Sequence, residues 1–196
     1  MNYSIKDYLY IINRLLENQF WRFGSNLLKR HTSRKTGAMD SVDYTIGVLK
    51  RHFGEFDLAE NNIRNKCIVE LGPGRSLGIG MLLIILGASK VYELDATKLA
   101  FDNDIILTQI VDFFLQPNTS NITAIDRDWL LKIKSTGWDY FQDKLIYHAP
   151  YDFDAWPIPS ESVDIVFSQA VLEHVSNLWQ TYLEMNRGCL NVQIYY

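Results

Sequence analysis

The fold is indicated most clearly by one stretch, Val69-Glu70-Leu71-Gly72-Pro73-Gly74-Arg75-Ser76-Leu77-Gly78. Its first three residues end a short run, beginning at Cys67, that is typical of a buried strand, and Gly72-Pro73-Gly74 breaks it. Ser76 can then cap a helix. Glycines let the backbone approach a ligand closely, and a helix start presents free N–H groups. The stretch predicts a strand-to-helix turn that suits a nucleotide-like ligand; a plain glycine turn is the alternative.

The rest of the chain continues this alternation of strands and helices. We expect further strands at 90–94, 145–148, 163–168 and 191–196, and helices at 76–87, 97–114 and from the end of the fourth strand to 187. This order is typical of an α/β protein with a mostly parallel sheet and helices on both faces. Ligands of such sheets bind beyond the carboxyl ends of the strands. The residues that follow each strand are therefore the candidates for function.

The first sixty residues have a different, helical pattern. Apolar residues recur at intervals of three and four from Ile5 to Leu16, and again from Val42 to Phe53. Asp40 can cap the second of these helices and Gly54 can end it. We expect a helical cap over residues 1–60 and a ligand-binding core over residues 61–196.

Composition excludes several classes of protein. The chain has 196 residues, 47% of them hydrophobic, and a net charge of −4, which argues against disorder and against a nucleic-acid binder. Two cysteines cannot build a disulfide framework or an all-cysteine zinc site, and we expect no metal. No apolar run approaches the roughly 20 residues of a membrane span, and no signal peptide is recognisable. A cytoplasmic protein is the expectation.

Three carboxylates follow the predicted strands. Glu70 precedes the glycine turn and would repel a pyrophosphate but suit a ligand with an ammonium or sulfonium group. Asp95 ends the second strand, where it can accept hydrogen bonds from a ribose or cap a helix. Asp152 follows the third strand and can accept from an exocyclic amine such as that of adenine, with Phe153 packed on the ring, or it can be a loop residue.

The four segments VELGPGRSLG, VYELDAT, YDFDAWPIPSESVDIVFSQAVLEHV and LWQTYLEMNR, in this order, resemble the motifs of class I S-adenosylmethionine-dependent methyltransferases. The resemblance covers about residues 65–190 and implies a Rossmann-like fold and a small-molecule methyl acceptor. It implies that Glu70, Gly72 and Gly74 line the methionine part of S-adenosyl-L-methionine. By the same resemblance Asp95 holds the ribose, Asp152 and Phe153 read the adenine, and Gln169 lies near the sulfonium and the acceptor.

Catalysis of methyl transfer needs a general base only where the acceptor must lose a proton. Glu173 and His174 follow the fourth strand and are the nearest candidates for that base. The alternative is that the pair packs or caps at a helix start.

The sequence departs from the family after the last helix. The family usually runs Arg-Val-Leu-Lys-Pro-Gly-Gly into a fifth strand, whereas this chain reads Arg187-Gly188-Cys189-Leu190-Asn191 and stops at Tyr196. We expect the last strands to be missing, as in a fragment or a truncated variant. A truncated or catalytically inactive cofactor-binding module is therefore an alternative to an active enzyme. A nicotinamide-dependent oxidoreductase is a third reading, disfavoured by Glu70 and by a glycine spacing that is not Gly-x-Gly-x-x-Gly.

Overall fold

A computed structural model describes residues 41–55, 62–100, 103–117, 125–151, 155–175, 177–189 and 194–195; of His174 and of 194–195 it describes only the backbone. Within these residues, five parallel strands form one sheet in the order β3-β2-β1-β4-β5. The strands are β1 (Cys67–Leu71), β2 (Lys90–Leu94), β3 (Leu145–His148), β4 (Ile165–Ser168) and β5 (Ile194–Tyr195). The expected α/β fold is confirmed.

Helices separate the strands along the chain. The α-helices are α1 (Val42–Phe53), α2 (Gly78–Ile85), α3 (Asn103–Leu115), α4 (Arg127–Thr136) and α5 (Leu178–Gly188), with 3₁₀ turns at Gly137–Tyr140 and Leu172–His174. Every residue of α2 is buried, because this helix lies between the sheet and neighbouring helices.

The two faces of the sheet have separate apolar cores. On one face, side chains from β1, β2, β3 and β4 pack with α1, α2 and α3; the strand members of this core are Ile68, Val91, Leu145, Ile165 and Phe167. On the other face, the strand residues that alternate with those of the first core pack with Met185 of α5. The strand members here are Val69, Leu71, Tyr92, Leu94 and Val166. Alternation along each strand thus places helices on both faces, as predicted.

The register brings the carboxyl ends of four strands to the same level. Leu71 is paired with both Leu94 and Ser168, and Leu94 is paired with His148. The residues that follow these strands therefore lie side by side at one edge of the sheet.

Several boundaries differ from the sequence prediction. Helix α3 begins at Asn103 rather than at Thr97. The Tyr147 hydroxyl donates to the Thr97 carbonyl, which a helix beginning there would need as its first acceptor, and it accepts from the Leu99 and Ala100 N–H groups. Strand β4 begins at Ile165, and Val163 makes only an isolated bridge to Cys189.

Helix α1 lies within the region predicted as a cap, most of which falls outside the described residues. It is capped by Ser41, whose hydroxyl accepts from the Tyr44 N–H, and it ends at Gly54. Its apolar residues Val48, Leu49 and Phe53 belong to the core beneath the sheet. The boundary at residue 60 stays a prediction.

Candidate functional site

Two glycines shape the turn after β1. Gly72 and Gly74 both have a φ of +72°, a left-handed conformation that favours glycine. A Cβ on Gly72 would overlap the side chain of Val171, whereas a Cβ on Gly74 would meet nothing within 4 Å. Gly72 is therefore fitted to the loop after β4, and Gly74 borders open space at the carboxyl edge of the sheet.

Asp95 joins this glycine turn to the end of β2. One carboxylate oxygen accepts from the Gly74 N–H at 3.1 Å, and the other accepts from the Thr97 N–H at 3.0 Å. Burial raises the pKa of Asp95, although the backbone N–H groups partly oppose that shift. Each carboxylate oxygen can accept more than one hydrogen bond, so both retain capacity for a ligand hydroxyl. Asp95 is thus a pre-oriented acceptor beside the glycine turn.

Glu70 lies inside β1, beneath the same turn. Its side chain is 1% exposed, and its Oε2 atom has no hydrogen-bond partner among the described residues. Burial raises the pKa of Glu70 to about 8. A buried polar atom without a partner is costly and indicates a missing ligand, water or proton.

Sequence reasoning missed the residue opposite Glu70. Glu93 of β2 is the register partner of Glu70, is fully buried, and has no conventional partner for either carboxylate oxygen within the described part of the chain. Burial and the neighbouring Glu70 carboxyl both raise the pKa of Glu93 well above its usual range. The sequence contained one signal that could have identified Glu93. It is an acid inside the apolar strand Lys90–Leu94, and it is the fourth residue of five, as Glu70 is in Cys67–Leu71.

Gln169 follows β4 and contacts the last turn of α1. Its Oε1 atom accepts from Nη1 of Arg51 at 2.8 Å and lies 3.0 Å from Nε2 of His52. Because an amide oxygen only accepts, Nε2 of His52 carries the hydrogen in this contact. The His52 ring also packs against Phe167, with centroids 5.4 Å apart. Helix α1 therefore places two basic side chains at the carboxyl edge of the sheet.

Three of the predicted site residues are only partly described or lie outside the described residues. Asp152 and Phe153 lie outside them, and of His174 only the backbone is described. Glu173 is exposed in the 3₁₀ turn after β4. The roles assigned to these four residues stay predictions.

The backbone just before Asp152 is tied to Asp95. The Asp95 N–H donates to the His148 carbonyl at 3.0 Å, and the Tyr151 N–H donates to the Asp95 carbonyl at 3.1 Å. The chain therefore enters residues 152–154 directly from a segment fixed beside Asp95.

Asp164, which the family resemblance also included, lies at the end of the sheet where β1 and β4 begin, away from the candidate site. Its carboxylate accepts from the Cys67 N–H at 2.8 Å and pairs with Lys66 at 3.0 Å. Asp164 therefore holds the start of β1 against the start of β4 and does not line the site.

Two absences apply to the described residues alone. No cluster of three or more His, Cys, Asp or Glu side chains among them could hold a metal ion. None of the helices found there combines the length and apolar character that crossing a membrane requires.

Comparison with known proteins finds that one segment of the chain matches a family model. Residues 118–190 match the family model described as a methyltransferase domain. The matched segment covers a little over a third of the chain and contains Asp152, Phe153, Gln169, Glu173 and His174. It agrees with the predicted methyltransferase family and with S-adenosylmethionine as the methyl donor which that family implies. Glu70, the two glycines and Asp95 precede the matched segment. No curated protein sequence matches the chain.

Solved structures of methyltransferases are also similar to the chain. An S-adenosylmethionine-dependent methyltransferase from Mesorhizobium loti is 18% identical, with a TM-score of 0.37 over 65% of this chain and 43% of that protein. One from Aquifex aeolicus is 12% identical, with a TM-score of 0.40 over 71% of this chain and 60% of that protein. A putative enzyme from Methanococcus maripaludis is 11% identical, with a TM-score of 0.43 over 75% and 53%. This chain spans about half the length of these proteins.

Proposed function

We propose that this chain, whose residues 118–190 match the methyltransferase-domain family model, binds S-adenosylmethionine at the carboxyl edge of its sheet and transfers the methyl group to a small-molecule acceptor. The observation that carries the proposal is the connection of Gly74 to Asp95 above the buried Glu70. It combines a hydroxyl acceptor, an open glycine turn and a buried carboxyl group at the ends of two neighbouring strands.

The described residues fit the parts of S-adenosylmethionine. Asp95 is held by backbone N–H groups and retains acceptor capacity for the two ribose hydroxyls. Gly74 leaves open space for a ligand to approach the backbone. The unpartnered Oε2 of Glu70 suits the ammonium group of the methionine part. We assign the adenine to Asp152 and Phe153, because the chain enters these residues from a segment bonded to Asp95.

The residues of this chain act by positioning. When bound, S-adenosylmethionine supplies an activated methyl group on a sulfonium, which an acceptor displaces in line. Gly74, Asp95 and Glu70 hold the donor so that its orientation is fixed before the acceptor arrives. Gln169 lies beside the turn, since Ser168 and Leu71 are paired, and it is assigned to the acceptor side. Glu173 or His174 would take a proton only from an acceptor that must lose one.

Helix α1 supports an acceptor that carries an anionic group. Arg51 uses Nη1 to bond Gln169, and its other guanidinium nitrogens bond none of the described residues. His52 approaches the same amide oxygen. A carboxylate or phosphate on the acceptor would pair with Arg51 while Gln169 orients the group to be methylated. Localisation in the cytoplasm stays a prediction.

Calorimetric titration with S-adenosylhomocysteine tests donor binding. We expect micromolar binding by the wild-type chain and at least a tenfold loss in Asp95→Ala, because the ribose hydroxyls lose their acceptor. Asp143→Ala is the matched control, since Asp143 is exposed and precedes β3 at the opposite edge of the sheet. Equal loss in both variants, or no binding by folded wild-type protein, would contradict the proposal.

Turnover is tested separately, by formation of S-adenosylhomocysteine from S-adenosylmethionine with a panel of small acceptors. The panel contains neutral, cationic and anionic members. We expect turnover with anionic members and its loss in Arg51→Met. Donor binding without turnover on any acceptor would instead favour a catalytically inactive cofactor-binding module.

A further inference from the structure

Glu70 and Glu93 form a buried carboxyl pair on the face of the sheet beneath α2. The two residues are register partners in neighbouring strands, so their side chains leave the same face of the sheet side by side. Their exposed fractions are 1% and 0%. A Cβ on Gly80 of α2 would overlap Oε1 of Glu93, so the helix approaches this carboxyl closely only because residue 80 is glycine.

Among the described residues, the surroundings of the pair provide no cation. Helix α2 has no ionisable residue, and β4 contributes Phe167, the other register partner of Glu70. Strand β3 contributes the Tyr147 hydroxyl opposite Glu93, and α1 contributes Tyr44, whose pKa is raised by its burial and by the nearby Glu70. Asp95 adds a third acidic group at the end of β2.

The remaining charged groups on this side belong to other contacts. Arg51 and His52 of α1 are directed at Gln169. In α3, Asp112 pairs with Lys134 of α4, and Asp104 lies near Gly137. Neither carboxyl of the pair is bonded to a basic side chain among the described residues.

Two carboxylates in such surroundings cannot both be ionised. A buried charge without a partner is strongly disfavoured, and a like charge beside it adds to the cost. As carboxylates the two groups could only accept, which is why Glu93 has no partner for either oxygen. A proton on Glu93 turns this clash into an O–H···O hydrogen bond to Glu70. Glu93 is 0% exposed with neither carboxyl oxygen bonded to a described residue, whereas Oε2 is the one buried oxygen of Glu70 that lacks a described partner, so the proton that is held more tightly belongs to Glu93.

We propose that Glu93 stays protonated and donates to Glu70, and that a ligand carrying an ammonium group releases a proton from Glu70 when it binds. This inference rests on the proposed function, since it assigns that ammonium to the methionine part of the donor. The reaction balances as Glu70–COOH plus R–NH₃⁺ giving the ion pair Glu70–COO⁻···⁺H₃N–R and one H⁺ taken up by the buffer. Glu93 is a positioning residue. Its donated hydrogen bond stabilises one negative charge on Glu70 in a buried site that does not stabilise two negative charges.

The proton count on binding tests this inference. Calorimetric titrations at pH 7 in buffers with different ionisation enthalpies measure how many protons leave the protein. S-Adenosylhomocysteine carries the ammonium group, whereas 5′-methylthioadenosine carries the same adenosine without the amino-acid part. We expect release of nearly one proton with the first ligand and none with the second. The affinity for S-adenosylhomocysteine should rise about tenfold for each pH unit between pH 6 and 7.5.

A variant separates the role of Glu93 from the fold. In Glu93→Gln, an amide N–H replaces the protonated carboxyl as the donor to Glu70, so the variant mimics the protonated state of Glu93. Proton release with S-adenosylhomocysteine should then stay close to the wild-type value. If this variant does not fold, the comparison of the two ligands on the wild-type protein still decides the matter.

The possible failures are distinguishable. Binding of both ligands with the same proton count would overturn the proton-coupling inference and leave donor binding intact. A proton count in folded Glu93→Gln that falls well below the wild-type value would show that Glu93 carries charge in the wild-type protein and would overturn its proposed role. Binding of neither ligand by folded protein would instead contradict the proposed function.

Discussion

The Gly74 N–H donates to the Asp95 carboxylate at 3.1 Å and thereby connects the loops that follow β1 and β2. The bond holds Asp95 in place before any ligand arrives. It also orients the glycine turn, in which Gly74 has a left-handed backbone and borders open space. A ligand in this corner therefore meets a rigid surface and loses little affinity to ordering of the protein.

The first prediction concerns the two glycines. Both substitutions to alanine introduce strain of about 1 to 2 kcal/mol at positive φ. Gly72→Ala also drives a Cβ into Val171, so we expect it to lower the free energy of unfolding by at least about 1 kcal/mol more than Gly74→Ala does. Urea unfolding measures both. Val171→Ala in the Gly72→Ala background should recover part of the difference, and equal destabilisation by the two alanines would contradict this packing.

The second prediction concerns stability and pH. Glu70 and Glu93 both have a pKa above the ordinary 4.5 in the folded chain, because burial disfavours their charged forms. The folded state therefore holds more protons than the unfolded state from about pH 4.5 to about pH 8. The free energy of unfolding should fall as pH rises through this window, by up to about 1.4 kcal/mol per pH unit for each extra proton.

Unfolding curves of wild type and Glu93→Gln between pH 5 and 8 measure this effect. We expect the variant to show the shallower decline. Burial lowers the pKa of His148 below 6.5, which acts in the opposite direction, but His148 is present in both proteins and cancels in the comparison. Parallel curves would show that Glu93 does not take up a proton on folding.

The third prediction concerns the loop before β4. Arg187 binds Glu184 through two nitrogens, at 3.0 and 2.6 Å, and donates to the Trp156 and Ile158 carbonyls. Glu184 also accepts from the Trp156 N–H. Burial alone would raise the pKa of Glu184, but these hydrogen bonds and the charge of Arg187 hold it below its usual value. The network therefore fixes residues 155–160 on α5.

We expect Glu184→Gln to cost about 1 to 3 kcal/mol of stability at pH 7, because Arg187 loses its charged partner in a mostly buried site. The difference from wild type should shrink as pH falls below the ordinary 4.5 toward the lowered pKa at which folded Glu184 becomes protonated. Asp112→Asn, which breaks the exposed pair with Lys134, should cost less than about 1 kcal/mol. Similar costs for both variants in chemical denaturation would count against the network.

The fourth prediction concerns the two cysteines. Burial and the nearby Asp164 raise the pKa of Cys67 to about 11, and the same causes raise that of buried Cys189. Few thiolates form at pH 8, so we expect iodoacetamide to label the folded chain much more slowly than the chain in denaturant. Mass spectrometry counts the labels. Rapid labelling of folded protein at either cysteine would show that its surroundings are more open than described.

Sequence reasoning located the first three strands at their observed bounds because short apolar runs bounded by glycine, proline or aspartate leave few alternatives. It failed where a side chain competes for the backbone: the Tyr147 hydroxyl takes the Thr97 carbonyl that a helix from Thr97 would have used as its first acceptor. It also missed Glu93, whose importance depends on the register that sets it opposite Glu70. The contact of α1 with Gln169 joins positions more than 115 residues apart, which no local pattern reveals.

A crystal structure of the chain with S-adenosylhomocysteine tests the central claim most directly. The account predicts both ribose hydroxyls within about 3 Å of the Asp95 carboxylate and the ligand ammonium facing Glu70. It also predicts the adenine beside residues 152–153. A ligand bound away from the glycine turn, or one whose ribose does not contact Asp95, would contradict the account.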